Sequence, residues 1–139
     1  MVNHEVQIRV RYAETDKMGY VYYGNYATYL EVARVETFRH IGFSYKELED
    51  AGTMMPVLEY KTKFIRPAKY DDMLLIKVCI KNKPSARIIF EYEIFNQEGM
   101  LLNIAETTLV FVNSQTGKPS LPPKYFQELT ASYFDEKTA

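Results

Sequence analysis

The run Glu14-Thr15-Asp16-Lys17-Met18-Gly19-Tyr20-Val21-Tyr22-Tyr23-Gly24-Asn25-Tyr26 puts one short carboxylate, Asp16, in a glycine-punctuated loop that leads straight into a helical pattern. At the start of a helix the first backbone N–H groups lack intrahelical partners, and the helix end is positive. A carboxylate beside such donors can attack a carbonyl that they polarise, or activate water against it. The chemistry is that of acyl transfer. Asp is also favoured in turns, so on residue type alone a turn-capping role stands beside the chemical one.

Other combinations offer less. His4 and His40 are the two histidines and Cys79 is the single cysteine, which gives no spacing for a zinc site and no histidine held by an acid for a Ser-His-Asp hydrolase. His40 lies beside a helix stop and His4 before the first strand, so both read as surface or capping residues. Glu31 and Arg34 are three apart on one helical face and are expected to form a structural ion pair.

These residues need elements to hold them. Val6, Ile8 and Val10 alternate with polar residues as a strand, and 13 to 25 form a loop. Tyr26, Tyr29, Leu30, Val32, Ala33, Val35, Phe38 and Ile41 then cover most of a helix circumference, which predicts a helix over 26–41 buried on most sides. Gly24-Asn25 supplies an N-cap signal and Gly42 a stop, while Ser44 with Glu47 starts a short second helix to Ala51. From residue 55 the period becomes two, predicting strands through Leu58–Phe64, Leu74–Ile80, 86–96 and 100–113. Turns fall at Asn82-Lys83-Pro84-Ser85 and Asn96-Gln97-Glu98-Gly99, and Ser114 to Pro123 leaves the sheet. One strand, a buried helix and four long antiparallel strands make an α+β fold: a five-stranded sheet wrapped around a long central helix.

Composition bounds the rest. The 139 residues suit one domain over 1–139. A net charge of -1 gives no global reason to expect nucleic acid. No targeting segment or membrane-length apolar run is visible, so a soluble chain without membrane insertion is expected, and the unpaired Cys79 suits a reducing cytoplasm. A single sheet over one helix leaves an edge and a face uncovered, so at least a dimer is expected.

The pattern Thr15-Asp16, Gly19, Val21-Tyr22, Asn25-Tyr26, Tyr29, Glu31 and Ala33-Arg34 resembles the 4-hydroxybenzoyl-CoA thioesterase family, including its Tol-Pal-associated acyl-CoA thioesterase branch. Arg66-Pro67-Ala68 with Tyr70-Asp71-Asp72-Met73-Leu74 extends the likeness, which covers roughly residues 5 to 125. The resemblance implies a hotdog fold and hydrolysis of an acyl-CoA thioester, with coenzyme A as part of the substrate and no metal or other cofactor. It implies a homodimer or homotetramer with active sites between protomers. Asp16 matches the catalytic carboxylate, as nucleophile or general base, and the backbone N–H of Tyr23 matches the oxyanion donor. The Tol-Pal-associated branch has His where Tyr23 stands, so this chain lacks that side-chain acid or base.

Around this loop Tyr20 and Tyr22 are the first candidates to line an acyl pocket, although aromatic crowding there also suits core and interface packing. Near Pro84, Lys77 is expected opposite Glu91, leaving Lys81, Lys83 and Arg87 without acids. With Ser85 they could receive the phosphates of coenzyme A; a solvated turn that blunts an edge strand accounts for the same residues. Two other functions fit the fold: non-catalytic thioester binding or scaffolding, and acyl-thioester dehydration. The latter ordinarily needs a histidine near the helix start, where this chain has none.

Overall fold

Period-two stretches become five strands that pair in the order β1-β4-β5-β6-β3, all antiparallel, with β1 at Val2–Arg9, β3 at Val57–Phe64, β4 at Met73–Ile80, β5 at Arg87–Phe95 and β6 at Leu101–Val110. The computed structural model describes residues 1–135. Helices α1 (Asn25–Ile41) and α2 (Tyr45–Asp50) separate β1 from a two-residue ribbon of β2 (Thr53–Met54) with β7 (Val112–Asn113), and α3 (Lys124–Thr130) follows the sheet.

Apolar side chains on one face of the sheet meet α1. Leu74, Ile76, Val78 and Ile80 of β4 and Ile88, Phe90, Tyr92 and Ile94 of β5 are buried at alternate positions. From α1 they receive Tyr26, Tyr29, Leu30, Ala33, Phe38 and Ile41. Burial follows one stripe of α1 rather than most of its circumference, because a single sheet covers a single helical face; Val32 on the far side is exposed.

Both ends of α1 have physical causes. Gly42 takes φ +101° and its N–H donates to the Phe38 and Arg39 carbonyls, ending the helix. At the start no side chain caps the helix at Gly24; Asn25 instead turns its amide to the Glu14 carbonyl at 2.8 Å. Ser44 caps α2 as expected, accepting from the Glu47 N–H at 3.1 Å.

Two features depart from the expected elements. The last strand breaks after Val110, and Val112–Asn113 pairs with β2 instead. The chain beyond Pro123 forms α3, whose buried Phe126 packs against Phe38, Phe43 and Phe111. Strand β3 is a sheet edge bonded to β6, and its Val57, Leu58, Tyr60 and Phe64 are exposed.

Candidate active site

Strand β1 hands the chain to a short 3-10 turn, Tyr12–Glu14, which fixes the position of everything after it. Glu14 Oε1 accepts from the Arg11 N–H at 2.8 Å and the Tyr29 hydroxyl at 2.9 Å, and Oε2 accepts from the Arg11 guanidinium. Burial opposes charge on Glu14, but these bonds from Arg11 and Tyr29 outweigh it and hold the carboxyl below its ordinary range. Burial, with Glu14 as acceptor, pushes the Tyr29 phenol well up, so it stays a donor. The Glu14 carbonyl accepts from Tyr22 N–H and Asn25 Nδ2, clamping the loop to the start of α1.

Between these clamps lies Asp16. Its Oδ1 accepts from the Met18 N–H at 2.9 Å and the Tyr20 N–H at 3.2 Å, which orients the carboxylate and leaves Oδ2 without a protein partner among the described residues. Gly19 takes φ +76° to close this turn, and its N–H donates to the Asp16 carbonyl. Val21 N–H donates to the Ala68 carbonyl at 2.8 Å, and Tyr20 bridges to Lys69, which anchors the loop to the segment before β4.

At the helix start, the N–H groups of Tyr23 and Gly24 donate to no protein acceptor among the described residues. They are the free donors that a helix N-terminus offers. A Cβ at Gly24 would come within 2.7 Å of the ring of the exposed Tyr22, which would have to turn aside to admit it. Asp16, Tyr20, Tyr23, Tyr26, Phe64 and Arg66 line one cleft of about 380 Å³. The chemistry this permits is attack by a held carboxylate, or by water beside it, on a carbonyl directed at free N–H donors.

The expected site residues divide. Asp16, Tyr20 and Tyr23 share this cleft; Tyr22 does not line it, and its ring packs at a tilt against that of Tyr23, with centroids 4.6 Å apart. Lys81, Lys83, Ser85 and Arg87 lie elsewhere. Strand β4 begins at Met73, opposite Arg9 beside the Asp16 loop, and ends at Ile80, opposite Val2 beside the basic turn. The span between them is roughly 23 Å. Within one protomer the two groups are at opposite ends of the sheet.

Charge pairing at that turn also differs from expectation. Register sets Lys77 opposite Glu93, with its ammonium 5.1 Å from the Phe95 ring, and Glu91 opposite Cys79. Glu91 thereby becomes free for Lys81, which it pairs at 3.2 Å. Lys83 and Arg87 form no ion pair among the described residues.

The expected Glu31–Arg34 pair is absent. Arg34 turns inward and donates to the Tyr92 hydroxyl at 3.2 Å, while Glu31 stays exposed. His4 and His40 stack at 4.4 Å, joining β1 to the end of α1. No cluster of three metal-ligating side chains occurs among the described residues. No helix there is long and apolar enough to cross a membrane.

The clamp by Glu14 and Tyr29 was missed from sequence. Its signal was available, because Glu14 falls three residues after Arg11, and Tyr29 lies on the buried stripe of α1.

A five-stranded antiparallel sheet over one long helix, with a carboxylate loop at the helix start, defines a hotdog-fold thioesterase. The chain belongs to the thioesterase-like superfamily, whose sequence profile matches residues 10–129. It is 36% identical over 117 residues to the acyl-CoA thioester hydrolase YbgC of Escherichia coli, covering 84% of this chain and 87% of that one. Among solved structures it resembles a DHNA-CoA thioesterase from Staphylococcus aureus, at 35% identity and TM-score 0.88 over 96% of this chain and 89% of that one. A 4-hydroxybenzoyl CoA thioesterase superposes with TM-score 0.82 at 22% identity, covering 93% of this chain and 99% of that one, a likeness of fold.

Proposed function

We propose that the chain hydrolyses acyl-CoA thioesters with Asp16 as its catalytic carboxylate and the Tyr23 N–H as oxyanion donor. One observation carries the reading: the carboxylate held by Met18 and Tyr20 shares a cleft with an N–H at the start of α1 that has no protein acceptor among the described residues. Asp16 either attacks the carbonyl, forming an anhydride that water then hydrolyses after the coenzyme A thiolate leaves, or takes a proton from water that attacks in its place and expels the same thiolate. The same atoms serve both routes. Drawn so, the reaction uses no metal or redox cofactor, and coenzyme A enters as part of the substrate.

The working unit is a homodimer or a larger homo-oligomer. Edge strand β3 presents unpaired backbone groups beside exposed Val57, Leu58, Tyr60 and Phe64, the arrangement that favours pairing with a second copy. Nucleotide phosphates of the substrate meet Lys83, Ser85 and Arg87 supplied by the partner protomer. Unpaired Cys79 fits a cytoplasmic setting.

Release of free thiol from a panel of acyl-CoAs tests the reading. Catalytic turnover supports it; tight binding without thiol release would favour a thioester-binding role, and hydration or dehydration of the acyl chain would favour a dehydratase. The dehydratase has less support, because His40 stands at the far end of α1 from Asp16.

A further inference from the structure

Two charged residues line the Asp16 cleft, Asp16 itself and Arg66, and the remaining lining is aromatic or apolar. The opposite charges do not pair. Arg66 is exposed and forms no ion pair among the described residues, and a guanidinium keeps its charge at any ordinary pH.

Its backbone, by contrast, is pinned from both sides. The N–H groups of Ile65 and Arg66 donate to the Leu102 carbonyl at 2.9 and 3.0 Å, and Pro67 fixes its own φ. Beyond it the buried Ala68 donates to the Tyr26 hydroxyl at 3.3 Å and accepts from the Val21 N–H at 2.8 Å. Tyr20 bridges to Lys69 in the same antiparallel sense, so the chain comes to Arg66 on one wall of the cleft as it comes to Tyr23 on the other. A fixed cation thus borders the space between the carboxylate and the free N–H.

The chemistry of attack by Asp16 needs such a cation. The tetrahedral intermediate formed by a carboxylate on a thioester can expel either group, and the weaker base leaves more readily. An aspartate carboxyl ionises at about 3.9 and an alkyl thiol at about 8.5, so the intermediate falls back to intact thioester unless charge on the sulfur is stabilised. The Tyr23 N–H serves the oxygen, not the sulfur. Attack by water instead sets thiolate against hydroxide, whose parent acid has a pKa of about 15.7, and the thiolate leaves unaided.

Resting on the thioesterase reading above, we propose that Arg66 receives the departing thiolate and so carries the anhydride route forward. Asp16 Oδ2 bonds to the acyl carbon, and the carbonyl electron pair moves to the oxygen at the Tyr23 N–H. That pair then re-forms the carbonyl as the C–S bond breaks, leaving its electrons on sulfur beside the guanidinium. Water hydrolyses the anhydride, returns Asp16 as a carboxylate and supplies the proton that the thiolate takes up. Substrate filling the cleft displaces water from Arg66, which strengthens its hold on the sulfur.

The test places one acyl group on two thiols that both lack the nucleotide, N-acetylcysteamine and the more acidic thiophenol. Arg66→Met removes the charge from an exposed side chain and should fold, as circular dichroism would show. It is expected to lose at least about tenfold in kcat/KM on the cysteamine ester and under about threefold on the thiophenyl ester, whose thiolate needs no help. On acyl-CoA the loss should fall in kcat rather than in KM. Equal losses on the two esters overturn the inference, and so does a raised KM for acyl-CoA with kcat intact, which would make Arg66 a binding residue. Arg66→Gln, read by the same ratio, decides should the methionine variant misfold. Wild-type turnover with equal losses in the variants removes this inference alone; no thiol release from any substrate removes the thioesterase reading and the inference with it.

Discussion

The Tyr29 hydroxyl donates a 2.9 Å hydrogen bond to Glu14 Oε1, tying the second turn of α1 to the corner that precedes Asp16. The carboxylate loop and the helix that offers the free N–H groups are therefore one mechanical unit. Tyr29→Phe should lower stability by about 1 kcal/mol, the usual net worth of one such bond, and lower the thermal midpoint by a few degrees. It should also reduce kcat, because the loop loses its tie to the donors. An unchanged melting curve and unchanged kcat would show that Arg11 alone holds Glu14.

Asp16→Asn keeps the side chain's size and its acceptor oxygen for Met18 and Tyr20, so the fold should survive. Turnover of acyl-CoA should fall at least about a hundredfold, equivalent to roughly 3 kcal/mol of transition-state stabilisation. Circular dichroism confirms folding; a folded variant with near-normal kcat would reject Asp16 as the catalytic carboxylate.

Stability should depend on pH through His4. Burial lowers its pKa from 6.5, and the charge of His40 adds to this against Glu36 and Glu5. The unfolded chain then binds the proton more readily than the folded one, so the contribution is complete above pH 6.5 and is lost as pH falls through the lower folded value. Urea midpoints should drop between pH 7.5 and pH 5.5, and His4→Gln should flatten that drop. Glu14, also lowered, acts in a separate window below its ordinary 4.5.

At micromolar concentration, sedimentation should show a dimer or larger species with little monomer. Leu58→Glu on the exposed edge strand should shift it toward monomer and reduce activity together. An active monomer would contradict both the assembly and a site shared between protomers.

Lys83→Gln with Arg87→Gln should raise KM for acyl-CoA with little change in kcat, since phosphate contacts serve ground and transition states alike. Added salt should reproduce the effect, screening exposed charges over roughly 10 Å at 0.1 M ionic strength. Lys81→Gln should do less, because Glu91 already neutralises it. Hydrolysis of a short thioester lacking the nucleotide should ignore all three changes; equal KM values throughout would reduce the turn to a solvated corner.

Much of this was legible in the sequence where a local rule governs. Period-two stretches gave the five strands, Gly42 and Ser44 marked helix boundaries, and the Asp16 turn was signalled by Gly19 at a position that requires positive φ. What failed depended on register and tertiary direction. Lys77 is expected opposite Glu91 but stands opposite Glu93, because a shift of two residues along the hairpin keeps each side chain on its face while reassigning every cross-strand pair. Arg34 was expected to meet Glu31 along the helix, but Tyr92 on the sheet offers an acceptor inside the core. Helix α3 needed the aromatic pocket of Phe38, Phe43 and Phe111 to hold Phe126, a pocket assembled from three distant segments.

The separation of Asp16 from Lys83 and Arg87 along β4 has a genetic corollary. If each catalytic carboxylate works with the turn of the other chain, a chain lacking Asp16 and a chain lacking the two cations are each defective alone but complementary when co-assembled. In their heterodimer both lesions converge on one site, and the other site inherits an intact carboxylate and an intact turn. At substrate levels below KM, two defective alleles would then restore close to half the kcat/KM per mixed pair, whereas a site built wholly from one chain would show no such rescue.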